Sequence, residues 1–110
     1  MGGQIFLTEA AVRDLEEIDA YLLWRDGVEA AEAVLAAIEA MLASLSRQPA
    51  RGHAPPELLA IGIREFREVR VGPYRLIYQE KDMGVYVHVV AHGRRDMQRL
   101  LLRRLVEEAP

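Results

Sequence analysis

The sequence predicts an α+β fold: an N-terminal strand, an α-helical hairpin, a three-stranded antiparallel meander completing a four-stranded sheet, and a C-terminal helix. Three observations carry this. Apolar residues recur at helical spacing through the first half. Beyond a Pro- and Gly-rich break come three apolar runs separated by tight-turn residues. A leucine- and arginine-rich helical segment follows them.

Gln4–Leu7 is an apolar run long enough for one strand. Thr8 supplies an N-cap oxygen and Glu9 puts negative charge in the first helical turn. Ala11, Leu15, Ile18 and Leu22 then form one stripe, with Arg13, Asp14, Glu16, Glu17 and Asp19 assigned to the wet side. Asp26-Gly27 interrupts that helix, and a second, Val28–Ser46, places Ala31, Leu35, Ile38, Leu42 and Leu45 on one face. Two helices joined at a glycine make an antiparallel hairpin, within which Tyr21 and Trp24 are expected to pack.

Gln48–Glu57 contains Pro49, Gly52, Pro55 and Pro56 and reads as a loop. Strands are expected at Ile63–Val71, Tyr74–Gln79 and Val85–Ala91, linked by Gly72-Pro73 and by Lys81-Asp82-Met83-Gly84. Short turns force an antiparallel meander. The first of these strands does not alternate cleanly, which leaves its register open and allows a bulge. In the last, period two puts Tyr86, His88, Val90 and His92 on one face. A final helix is expected over Arg95–Glu107. Two helices covering one face of the sheet would leave the other open.

The 110 residues suit one domain spanning 1–110, since neither half buries its apolar face alone. There are no cysteines, which excludes disulfides and thiolate metal sites. Met1–Phe6 lacks the basic flank and apolar run of a signal peptide, and no stretch is apolar enough to span a bilayer. A soluble cytoplasmic protein without membrane attachment is expected. No cofactor or metal is expected either. His88 and His92 lie four strand residues apart, about 13 Å, too far for one ion bound at about 2 Å.

Net charge is −3, unevenly spread. Residues 1–63 hold four Arg and ten acids (−6); residues 64–104 hold nine Arg and one Lys against five acids (+5); Glu107 and Glu108 complete the sum. A basic half can face a polyanion or an acidic partner even on an acidic protein. Thirteen of the fourteen cations are Arg, the side chain that grips phosphates and carboxylates bidentately. A solvated charged face is the alternative.

Four segments in this order resemble the RelE/ParE superfamily of bacterial toxins. They are Leu7-Thr8…Ala11…Asp14-Leu15…Ile18…Tyr21, then Leu45–Gly52, then Pro73-Tyr74-Arg75-Leu76-Ile77-Tyr78, and Val89–Asp96 with its His92-Gly93-Arg94-Arg95-Asp96 ending. The resemblance implies the toxin of a type II toxin–antitoxin (plasmid-stabilisation) module, with a cognate antitoxin as partner. It also implies one of two targets, DNA gyrase or ribosome-bound mRNA. A non-toxic binding module on the same scaffold is the alternative from another class. If RNA is cut, a metal-independent endoribonuclease must activate the 2′-hydroxyl, protonate the leaving oxygen and neutralise the phosphate. By motif, Arg75 falls where mRNA-cleaving relatives keep a phosphate-contacting arginine, Arg95 falls near a second such arginine, and Arg67 lies near further basic positions. His92 is an acid candidate by its near-neutral pKa, and Glu68 a base candidate if it reaches the open face. The bland readings are that Arg75 pairs with Glu68, that His92 bonds backbone, and that Arg94 and Arg95 are solvated. The C-terminal Tyr of RelE-type nucleases has no counterpart, because Leu100-Leu101-Leu102 stands there and no Tyr follows Tyr86. That departure, with the His-Gly-Arg-Arg-Asp ending, favours the gyrase-directed ParE branch. Part of the leucine run is free to meet an antitoxin, with core burial as the alternative.

Overall fold

A computed structural model describes residues 3–107; Met1, Gly2 and Glu108, discussed above, lie outside them. The elements are β1 (Gln4–Leu7), α1 (Glu9–Asp26), α2 (Val28–Arg47), α3 (Pro56–Leu59), β2 (Phe66–Val71), β3 (Tyr74–Lys81), β4 (Gly84–His92) and α4 (Met97–Glu107). The Thr8 hydroxyl caps α1 by accepting the Ala11 N–H at 3.1 Å. Gly27 alone joins α1 to α2. Its φ of 92° lies in a region that L side chains rarely adopt, and its N–H closes α1 onto the Leu22 and Leu23 carbonyls.

The sheet order is β1-β4-β3-β2. β2, β3 and β4 form the expected antiparallel meander, and β1 pairs in parallel with the first half of β4, Gln4 opposite Gly84 through Leu7 opposite Val87. β2 begins at Phe66 rather than Ile63 and pairs without interruption, so the bulge is not there. It falls in β4: Ile77 faces Val89 and Tyr78 faces Val87, leaving His88 as the extra residue. This overturns the single His-bearing face. At the bulge His88 meets the Phe66 ring edge-on, while beyond it His92 lies edge-on to Tyr74 in the other layer.

The expectation of an open sheet face is also corrected. One core, beneath α1 and α2, joins Ala11, Ile38, Leu42 and Leu45 to Val69, Tyr74, Leu76, Tyr78, Val85, Val87 and Val90. A second, on the opposite face, joins Leu58 of α3 and Met97, Leu100 and Leu101 of α4 to Phe66, Ile77, Val89 and Ala91. The physical reason is the near-continuous apolar character of β3 and β4, which requires cover on both sides. Leu100 and Leu101 are therefore core, and only Leu102 of that run faces outward. Trp24 is not packed in the hairpin; it is 81% exposed at the hairpin tip, beside Tyr21.

Because β1 stops at Leu7, the edge of β4 beyond Val87 has no neighbouring strand among the described residues. Two side chains take its place. Asp14 of α1 accepts the Val90 N–H at 3.0 Å, and Arg104 of α4 donates to the His88 carbonyl. Arg104 also grips Asp14 through both terminal nitrogens, at 3.0 and 2.9 Å. Asp14 is thus buried, not on the wet side of α1. Its spacing, three after Ala11 and four before Ile18, places it on the buried stripe. Breaking such a pair leaves a guanidinium buried without its partner. Asp14→Ala is expected to lose about 3 kcal/mol of stability in urea unfolding, with Asp14→Leu/Arg104→Met recovering much of it.

Candidate functional site

The principal concavity lies where the end of α1 and the middle of α2 overhang the β3–β4 end of the sheet, a cleft of about 840 Å³. Asp14 to Arg25 of α1 form one wall, and Pro73 with the turn of His92, Arg94 and Arg95 forms another. Arg25, Arg94 and Arg95 stand on its walls, with Tyr21, Tyr74 and His92 between them. Arg25 lies 5.7 Å above the Tyr21 ring and donates to its hydroxyl, contacts that, with Asp26, raise its pKa. The Tyr74 ring is buried at the floor, and desolvation pushes its hydroxyl above the ordinary 10.0, so it remains a neutral phenol near neutral pH.

His92 and Arg95 are brought together in this cleft. The His92 Nδ1 accepts the Arg94 backbone N–H at 3.1 Å, so its neutral form carries its proton on Nε2. The ring tethers the turn into α4, whose first free N–H groups are capped by Asp96 accepting from the Arg99 N–H at 3.1 Å.

Arg75 and Arg67 lie elsewhere. Arg75 points to the opposite face and is 4% exposed. Glu68 accepts from its Nε and Nη2 at 2.7 Å, and Glu57 from its Nη1 and Nη2 at 2.8 Å. Two carboxylates share one guanidinium, whose pKa rises chiefly through the Glu57 and then the Glu68 hydrogen bonds. Hydrogen bonding from Arg75 in turn lowers the Glu57 pKa below its ordinary 4.5. Glu68 is buried and reaches no open face. Arg75 is therefore not presented to phosphate on an open sheet face: a guanidinium on a buried face is satisfied by carboxylates because leaving it unpaired there is costly. Arg67 lies on the hairpin side of β2 and donates to the Gly52 carbonyl at 2.8 Å, holding the Pro49–Gly52 turn. Tyr78 completes that turn, donating to the Pro49 carbonyl and accepting the Gly52 N–H. A Cβ on Gly52 would sit 2.5 Å from the Glu68 carbonyl oxygen, so glycine is required there.

Sequence reasoning missed Arg25, Asp14, Glu57 and Arg104. Arg25 carried no motif, and Glu57 stood in a segment read as plain loop. Among the described residues no group of three or more metal-binding side chains occurs, and no helix is long and apolar enough to cross a membrane. Chemically, the main cleft offers cations, aromatic surface and hydrogen-bond donors. Of its two carboxylates, Asp14 is engaged with Arg104 and Glu17 is exposed on α1. This is equipment for binding more than for bond cleavage.

Residues 5–97 match the model of a family described as the ParE toxin of the type II toxin–antitoxin system, parDE. A chain of the chromosomal ParDE toxin–antitoxin system from P. aeruginosa superposes with a TM-score of 0.68 at 16% identity, covering 82% of this chain and 95% of that one. A chain of the toxin–antitoxin complex RelBE2 from Mycobacterium tuberculosis gives 0.58 at 25% identity, with 84% and 92% covered. No curated protein matches the sequence.

Glu57 tethers α3 through Arg75, and its lowered pKa fixes the sign of a pH effect. The stabilisation is complete above about 4.5, the ordinary value, and is lost as pH falls through the lower folded-state value. Glu57→Gln is expected to cost about 1.5 kcal/mol at neutral pH. Its melting temperature should decline less than that of the wild type on acidification, as checked by thermal unfolding across the carboxylate range. Parallel pH profiles for the two proteins would contradict the assignment.

Proposed function

The chain belongs to the ParE toxin family of type II toxin–antitoxin systems, within the RelE/ParE superfamily, and from that premise we propose that it is a gyrase-directed toxin restrained by a cognate antitoxin. The observation that supports the choice of target is the closure of Arg75. An mRNA-cleaving site needs a phosphate-binding cation and an acid–base pair around one scissile bond. Here Arg75 and Glu68 are joined to each other beneath α3, on the far side of the sheet from His92 and Arg95. A phosphate reaching Arg75 would have to displace Glu57 from two hydrogen bonds of 2.8 Å.

The open cleft suits a protein partner. Its cationic walls attract acidic segments, and Tyr21 and Trp24 beside it are residue types that dominate interface energetics. An acidic, amphipathic antitoxin tail is the occupant that fits this combination.

A second reading, cleavage of ribosome-bound mRNA, is favoured by the shared cleft of His92 and Arg95 and by the likeness to a RelBE2 chain. The two readings part in cells. Induced alone in bacteria, the full chain should arrest growth, raise an SOS reporter and generate double-strand breaks, and purified gyrase should lose supercoiling activity in its presence. Codon-dependent mRNA cuts in a translating extract, without SOS induction, would instead establish the RNase reading. Unaffected growth would favour a non-toxic binding module.

A further inference from the structure

Behind the Asp14–Arg104 pair lies a second, smaller cleft of about 270 Å³ between α1 and α4. Ala10, Arg13, Asp14, Glu17, Arg95, Arg103 and Arg104 line it, so all but Ala10 are charged. The four arginines contribute +4 and the two acids −2, a local excess of +2 on a chain whose net charge is −3. Asp14 is already committed to Arg104, and among the other lining residues the exposed Arg13 and Arg95 outnumber the exposed Glu17.

The arginines come from three places: Arg13 from α1, Arg95 from the turn after β4, and Arg103 and Arg104 from α4. Arg104 is held rigidly at the floor by Asp14 and the His88 carbonyl. Among the described residues, the side chains of Arg13 and Arg95 have no hydrogen-bond or ion-pair partner. Converging like charges repel, and such an arrangement is relieved by an anion.

We propose that this cleft is a binding site for a phosphate group, gripped by Arg13 and Arg95 against a floor set by Arg104. Size and chemistry select the ligand class. Guanidinium forks match the tetrahedral oxygens of phosphate bidentately. A peptide segment needs apolar anchoring to be held, and these walls offer no aromatic or long aliphatic residue. The phosphate has two possible sources, a small phosphate compound or the backbone of a nucleic acid. The site adjoins the larger cleft assigned to the antitoxin, sharing Asp14, Glu17 and Arg95 with it, and its phosphate ligand goes beyond that reading.

The test uses the full chain, titrated by NMR or calorimetry with inorganic pyrophosphate, with a short single-stranded oligonucleotide, and with an acidic Glu-containing peptide. Pyrophosphate is expected to bind and to perturb the Arg13 and Arg95 resonances. Arg13→Ala and Arg95→Ala should each weaken binding about tenfold, while Arg25→Ala in the larger cleft leaves it unchanged. All three side chains are exposed, so the variants should melt like the wild type. Tighter binding of the oligonucleotide than of pyrophosphate identifies a nucleic-acid backbone as the source; equal or weaker binding identifies a small phosphate compound. No pyrophosphate binding, binding indifferent to Arg13→Ala and Arg95→Ala, or a preference for the acidic peptide would each overturn the proposal.

Discussion

The structure depends on how the unprotected half of β4 is covered. Beyond Leu7 the strand has no partner on that side, and an unpaired sheet edge is both a polar liability and a template for aggregation. Asp14 and Arg104 replace the missing strand, one accepting the Val90 N–H and the other donating to the His88 carbonyl, while neutralising each other. Because they come from helices on opposite faces of the sheet, the same contact sets α1 and α4 in register. It also divides the two clefts, since Asp14 lines both. A buried ion pair adds little net stability over a well-packed apolar pair. Its contribution here is geometric: it satisfies two backbone groups that apolar side chains cannot.

The basic half of the chain thereby resolves into two populations of arginine. Arg67, Arg75 and Arg104 are structural, their donors spent on a turn carbonyl, on Glu57 and Glu68, and on Asp14 and His88. Arg13, Arg25, Arg94, Arg95 and Arg103 stand exposed around the clefts. The second population stands in solvent, where it can meet partners. The division follows from desolvation, since a charge on a buried face must be paired within the protein. It moves the exposed cationic surface away from the sheet and onto the hairpin tip and the turn before α4.

Much of the fold was legible in the sequence. The Ala11–Leu22 and Ala31–Leu45 stripes, the Thr8 cap, the Gly27 break and the turns at Gly72 and Met83-Gly84 each reflect local chemistry, and local chemistry survives folding. The errors were non-local. The bulge at His88 shifts the alternation of β4, and no residue in the strand announces it. The near-continuous apolar character of β3 and β4 did signal a sheet covered on both faces, yet the charges of β2 masked it. His92 and Arg95, named from a motif, both line the main cleft. The pairing of Arg75 with Glu68 was one of the two readings of that arginine, but its second partner, Glu57, lies eighteen residues away in a loop, a pairing that only the folded chain makes.

The most direct measurement is native-state hydrogen exchange at the Val90 amide. If Asp14, seated by Arg104, takes the place of a strand, this amide should exchange only through global unfolding, as slowly as the amides of β3. Exchange at the rate of an open strand edge, while β3 stays protected, would contradict the central claim.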